Sequence, residues 1–195
     1  MGQEWGAGTL FCYFTDHPEA LGKAVTEGRR NEFRHFKAFS KPAATQSIPD
    51  PEALSTFARS RLNWEERNQQ PHAGILALYR DLINLRRTEP ACKEKLNASL
   101  QTDSLGENML ALKREVDDKF SLLVVACLKG SGKITLSAQS ITRPPKEKQW
   151  RLLWTTEDTP YTDTPSRPLI TNENATIVLN FQGPCTLIFR AIAPK

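Results

Sequence analysis

The 195-residue sequence contains no apolar run near the ~20 residues that a membrane span needs, and no basic stretch followed by an apolar core of the kind a secretory leader carries. A cytoplasmic protein is expected. Cysteine is sparse: Cys12, Cys92, Cys127 and Cys185 stand at wide, irregular intervals and form no CxxC pair, which argues against a zinc centre or a disulfide framework and for buried thiols in a reducing compartment. Also missing are GxxxxGK[ST], a GxGxxG after a strand, HExxH and GxSxG. Their absence argues against phosphate cradles, dinucleotide sites, zinc peptidases and nucleophile elbows, and no cofactor or metal is implied. A Ser/His/Asp site gathered from distant residues would leave no such mark. Lys and Arg (26) only slightly outnumber Asp and Glu (22), and they are interspersed rather than gathered in an arm, so no nucleic-acid partner is expected. There is no internal repeat and no low-complexity tract.

What is present suits a folded chain of one domain or one and a half, with 39% hydrophobic and 25% charged residues. The most unusual stretch is the opening one, residues 1–18, where Gly2, Gly6 and Gly8 interleave with Trp5, Phe11, Tyr13 and Phe14. Chain termini are commonly polar and frayed. This one reads instead as the end of a buried strand running into a ligand-facing loop, with the strand itself lacking.

Pro18 can start a helix over about 18–38, weakened and interrupted by Gly22 and Gly28. Residues 39–50 read as a loop, and Asp50-Pro51-Glu52 as the capped start of a short helix to about Ala58. The clearest helix follows Pro71-His72: Ile75, Leu78, Tyr79, Leu82, Ile83 and Leu85 form one stripe, and Pro90 ends it. From about 96 the period changes to two. Strands are expected over 109–114, 120–128, around Ile134, Leu136 and Ala138, over 150–154, and over 177–181 and 186–189, the last two closing as a hairpin around Gly183-Pro184. Residues 155–173 read as a loop. Strands at regular spacing without intervening helices predict an antiparallel sandwich.

The first half also carries a resemblance. Gly2-Gln3-Glu4-Trp5-Gly6 with Tyr13-Phe14-Thr15-Asp16-His17, then Glu27-Gly28-Arg29-Arg30-Asn31-Glu32-Phe33, Ile48-Pro49-Asp50-Pro51, the run from Thr56 to Trp64 and the run from Leu76 to Arg87 resemble malto-oligosyltrehalose trehalohydrolases. These are trehalose-forming members of the α-amylase superfamily, glycoside hydrolase family 13. Beyond Pro90 the similarity is one of layout only. The resemblance implies an α+β fragment: residues 1–92 as the last strand-end, active-site loop and helix of a (β/α)8 barrel, and 93–195 as an all-β carboxyl-terminal domain.

Retaining glycosidases need two carboxyl groups roughly 5–5.5 Å apart, and in this superfamily a third, stabilising aspartate joins them. All three come from the fourth, fifth and seventh barrel strands, which would lie upstream of Met1, so no catalytic residue is assigned. Substrate contacts fall to Glu4, Trp5, Tyr13, Phe14, Asp16 and His17. For Glu4 the alternative is a barrel-end carboxylate holding backbone amides or an arginine; for the aromatic rings it is structural packing; for Asp16 and His17 it is fixing of their own loop. His35 and His72 read as solvent-facing or helix-end residues. The implied partners are maltooligosyl trehalose or a related α-glucan, and a separate chain supplying the rest of the barrel; no membrane is involved. The alternatives are a non-catalytic module packed on such a chain, or a free-standing carbohydrate-binding sandwich.

Overall fold

Pro18 holds φ at −53° in an extended conformation, and the chain turns from it into α1, Glu19–Phe33. The structure, a computed structural model, describes residues 1–37, 47–93, 98–116, 119–136, 140–173 and 176–194. The expected loop over 39–50 and the expected strand residue Ala138 therefore fall largely or wholly outside the described residues. Two compact units make up the chain, residues 1–67 and 68–195.

In the first unit α1 runs unbroken through Gly22 and Gly28, correcting the interrupted helix expected from them. Its buried face is not the apolar stripe but the pair Gly22 and Thr26, while Leu21 is 50% exposed. Gly22 lies where a Cβ would come 2.9 Å from the Glu52 side chain, so the residue that weakens the helix also makes room for a carboxylate. The short second helix, α2, is Leu54–Arg59 with Ala53 at its N-cap, three residues later than the start expected from sequence, with Asp50 as cap and Pro51 as first helical residue. Asp50 spends its side chain on the Glu52 amide, 3.0 Å away, and this closes a tight turn two residues on rather than a helix. A 3-10 turn, Trp64–Asn68, follows.

In the second unit α3, His72–Thr88, ends just before Pro90, and a single turn, α4, spans Pro90–Lys93. Eight strands follow: β1 Ala98–Ser104, β2 Met109–Val116, β3 Phe120–Cys127, β4 Gly132–Thr135, β5 Gln149–Thr155, β6 Leu169–Glu173, β7 Thr176–Phe181 and β8 Cys185–Ile192. They form two antiparallel sheets, in the orders β1-β2-β3-β8-β5 and β4-β7-β6. The hairpin expected between the last two strands is not formed: β7 lies in the small sheet, and the chain crosses at Gly183-Pro184 so that β8 inserts between β3 and β5. The expected loop over 155–173 also contains β6, an edge strand.

Both sheets contribute to one core, with Leu123 and Val125 of β3, Leu187 and Phe189 of β8, and Ile134, Leu179 and Phe181 of the small sheet. The opposite side of β3 meets a second cluster, where Leu122 and Ile188 pack with Ala91 and Leu85. A strand covered on both faces reads as a continuous apolar run, which is why 120–127 does not alternate.

The helix α3 is tied into this unit at two places. Near its start, Gly74 sits so close to the Tyr161 carbonyl that a Cβ would lie 2.2 Å from the oxygen, and the Tyr161 hydroxyl donates to Asp81 at 2.5 Å. At its end Leu85 joins the second cluster. Compactness thus divides the chain ahead of this helix, whereas the sequence boundary near 92 follows the change from helical to strand periodicity.

Candidate functional site

The opening segment is a 3-10 turn, Gln3–Trp5, between Gly2 (φ 80°) and Gly6 (φ 63°). Both glycines stand in the left-handed region that side chains avoid. At Gly2 there is also no space, since a Cβ would lie 2.6 Å from that of Ala7. Trp5, 5% exposed, packs its ring 5.1 Å from Trp64, and Arg67 lies 4.8 Å over the Trp64 ring. Sugar contact by Trp5 would require those neighbours to move. Glu4 is exposed on the turn.

From residue 11 to 18 the chain belongs to no helix or strand and is held mainly by side chains. The Cys12 amide donates to Ser60 Oγ at 3.1 Å, and the buried Ser60 hydroxyl reaches the Thr56 carbonyl at 2.9 Å. The Thr15 amide donates to the Pro51 carbonyl at 3.0 Å. Glu52 completes the clasp: one carboxylate oxygen accepts the Thr15 hydroxyl at 2.5 Å and the other accepts the His17 amide at 3.0 Å. These bonds hold the Glu52 carboxyl below the usual carboxylate range, the Thr15 hydroxyl contributing most. Asp50 is lowered likewise, first by the Glu52 amide, then by the Thr26 hydroxyl at 2.9 Å, with Arg30 adding attraction.

The residues expected to contact substrate are distributed around this clasped loop. Tyr13, 45% exposed, has the Arg29 guanidinium 4.3 Å from its ring centroid. Together with Phe11 and Phe33 they line an open groove of about 320 Å³. Phe14, edge-on to Phe57 at 5.2 Å, lines with Asp16 and Leu54 a second groove of about 470 Å³. His17 lines a third, about 350 Å³, with Thr26, Arg30, Asp50 and Glu52. Tyr13, Phe14, Asp16 and His17 thus each face a concave surface, while Glu4 and Trp5 line none of the three. Glu52, Asp50, Thr15 and Arg29 were not singled out as site residues from the sequence. Thr15, Arg29 and Asp50 lay inside the segments that carry the resemblance, and Asp50-Pro51-Glu52 read as a helix start rather than as a clasp. Among the described residues no group of three or more His, Cys, Asp or Glu could hold a metal ion.

No family model matches the chain. Curated proteins named malto-oligosyltrehalose trehalohydrolase do match part of it. The one from Deinococcus radiodurans is 46% identical over 107 residues, 55% of this chain and 17% of that protein. The one from Arthrobacter ramosus is 50% identical over 91 residues, 46% of this chain and 15% of that protein. One from Mycobacterium tuberculosis is 42% identical over 90 residues, with the same 46% and 15% coverage. Among solved structures, a putative α-amylase from Salmonella typhimurium superposes with a TM-score of 0.63 at 21% identity, over 98% of this chain and 27% of that one. An α-amylase from H. orenii gives 0.50 at 18% identity, over 72% of this chain and 25% of that one. At these identities the structures speak to fold alone. The chain is therefore a homologue of malto-oligosyltrehalose trehalohydrolases over about half its length, and its matched stretch spans about one sixth of theirs.

Proposed function

From this homology we propose that the chain is the carboxyl-terminal portion of a malto-oligosyltrehalose trehalohydrolase-like glycoside hydrolase. Residues 1–92 would supply a strand-end, a substrate-facing loop and the last helix of a (β/α)8 barrel, and residues 93–195 its β-sandwich domain. The parent reaction is hydrolysis of the α-1,4 glucosidic bond next to the trehalose unit of maltooligosyl trehalose. The observation that carries the reading is the clasped loop, which sets Tyr13, Phe14, Asp16 and His17 on adjoining grooves. Flat rings suit the apolar face of glucose, and Asp16 and His17 suit its hydroxyls.

The same loop supports a binding rather than a cleaving role. General-acid catalysis needs a carboxyl that stays protonated near neutrality, and the two carboxylates that hold the loop, Asp50 and Glu52, are both pulled the other way. Trehalose release from maltooligosyl trehalose by the purified chain is the test. None is expected, and clear turnover would overturn the assignment.

A second reading, a non-catalytic module docked on a separate barrel chain, is favoured by the open apolar side chains of α3: Tyr79, Leu82 and Ile83 are 37%, 36% and 49% exposed. It predicts a reading frame for the remaining barrel immediately upstream and stable co-purification of the two products. Failure of the two chains to associate would exclude it.

A further inference from the structure

Two of the four thiols face one another across a strand pair. Cys127 ends β3 and Cys185 begins β8, directly opposed in the ladder. The Leu128 amide donates to Asn108 on the β2 side, and the Thr156 amide donates to Thr186 on the β5 side. By alternation, the main-chain groups of Cys127 and Cys185 point at each other. Such a hydrogen-bonded antiparallel pair has Cα atoms about 5.5 Å apart, inside the roughly 4.4–6.8 Å that a disulfide spans. Both side chains enter the same core, at 2% and 4% exposure, so both sulfurs lie on one face of the sheet. The Cys127 sulfur is 3.6 Å from the Lys129 and Gly130 carbonyls, and the Cys185 sulfur shares a hydrogen with Thr155 Oγ1 at 3.6 Å.

We propose that Cys127 and Cys185 are a reversible oxidation site that hydrogen peroxide closes into a cross-strand disulfide. One thiol gives up its proton and its thiolate attacks the peroxide; the O–O bond breaks, a sulfenic acid forms, and the departing hydroxide takes that proton to become the first water. The second sulfur then attacks the sulfenic sulfur, the S–S bond forms as the S–O bond breaks, and the departing hydroxide takes the second thiol's proton and leaves as the second water. Two thiols and one peroxide thus give one disulfide and two waters, with two electrons passing from sulfur to oxygen. Access comes from position: Cys127 and Cys185 form the last pair of the β3–β8 ladder, beside Leu128, 63% exposed, and opening of that one pair would admit a small oxidant without global unfolding. A disulfide strained by the hydrogen-bonded register is also the more readily reduced. Burial pushes the Cys185 thiol up, which makes thiolate scarce at neutral pH and the reaction faster in alkali.

The test is peroxide treatment of the whole chain, followed by alkylation and non-reducing peptide mapping. The expected product links the Cys127 and Cys185 peptides, weighs two hydrogens less, reverts with a thiol reductant and persists when Cys12 and Cys92 are both replaced by Ser. Its rate of formation should rise roughly tenfold from pH 7 to pH 8. Cys127 and Cys185 recovered as free thiols, or as separate over-oxidised acids, would overturn the proposal. The mapping of the unmodified sequence decides the outcome by itself, so the result does not depend on the Cys12/Cys92 variant folding.

Discussion

Glu89 and Arg190, 101 residues apart in sequence, meet where the end of α3 lies on β8: the guanidinium Nε donates to a Glu89 carboxylate oxygen at 3.0 Å and Nη2 donates to the same oxygen. The Glu89 side chain is 1% exposed and that of Arg190 is 36% exposed. That asymmetry decides what each truncation does. Arg190→Ala strands a carboxylate away from water and should cost about 3–5 kcal/mol. Glu89→Ala leaves a guanidinium that still reaches solvent and should cost about 1–3 kcal/mol. Urea denaturation of the two variants checks the order, and equal losses would show that packing, not charge, governs the site.

The loop clasp makes a prediction about acid. Asp50 and Glu52 have lowered carboxyl pKa values in the folded chain. A depressed folded value means the contribution is present above the unfolded pKa and is lost as pH falls through the folded one. The clasp should therefore hold at neutral pH and open from about pH 4 downward, where unfolded carboxylates begin to protonate. Amide exchange at His17, whose N–H donates to Glu52, should accelerate over that interval. Glu52→Gln should exchange faster already at pH 7 and show a flatter profile. A His17 amide indifferent to that substitution would mean that the loop is held elsewhere.

These two relationships show where sequence reading stops. The stripe from Ile75 to Leu85 announced α3 by its spacing alone, since Tyr79, Leu82 and Ile83 stay exposed, and the apolar runs of β2, β3, β5, β7 and β8 announced strands because each sends apolar side chains into a core. The edge strands β1 and β6 did not announce themselves: residues 99–104 are exposed and Leu169 is 60% exposed, so neither edge imposes a pattern. The crossing of β8 into the large sheet is a fact about its partners β3 and β5, not about the turn at Gly183. In the first unit the aromatic and glycine pattern marked the loop, but Glu52 holds it from 37 residues away from Thr15, and α1 buries Gly22 and Thr26 rather than its apolar residues.

Two glycines in helices should respond oppositely to alanine. At Gly74 the added methyl would meet the Tyr161 carbonyl oxygen at 2.2 Å, backbone that cannot swing away. Gly74→Ala should cost about 1–3 kcal/mol as overpacking and should weaken the contact of α3 with the 156–162 turn. At Gly28, among the described residues, nothing lies within 4 Å. Gly28→Ala should raise the stability of α1 by up to about 1 kcal/mol through helix propensity. Helical circular dichroism and thermal midpoints separate the two, and a neutral Gly74→Ala would show that the helix can shift along the turn.

Tyr161 joins that contact to an ionisation that can be watched. Its hydroxyl donates to the Asp81 carboxylate and accepts from Trp154 Nε1 at 2.9 Å. Burial, and then the bond to Asp81, push the phenol up to about 12. For an acid whose folded pKa is raised, the favourable contribution is complete below the unfolded value, about 10, and disappears as pH climbs through the folded one. The unit built from residues 68–195 should accordingly lose stability between about pH 10 and pH 12. Tyrosinate absorbance should show one of the three tyrosines ionising last, and Tyr161→Phe should remove that late step. Asp81→Asn keeps the side-chain shape but takes away the negative charge, so it should move the late ionisation toward the ordinary tyrosine range. A late step unmoved by Asp81→Asn would assign the shift to burial alone.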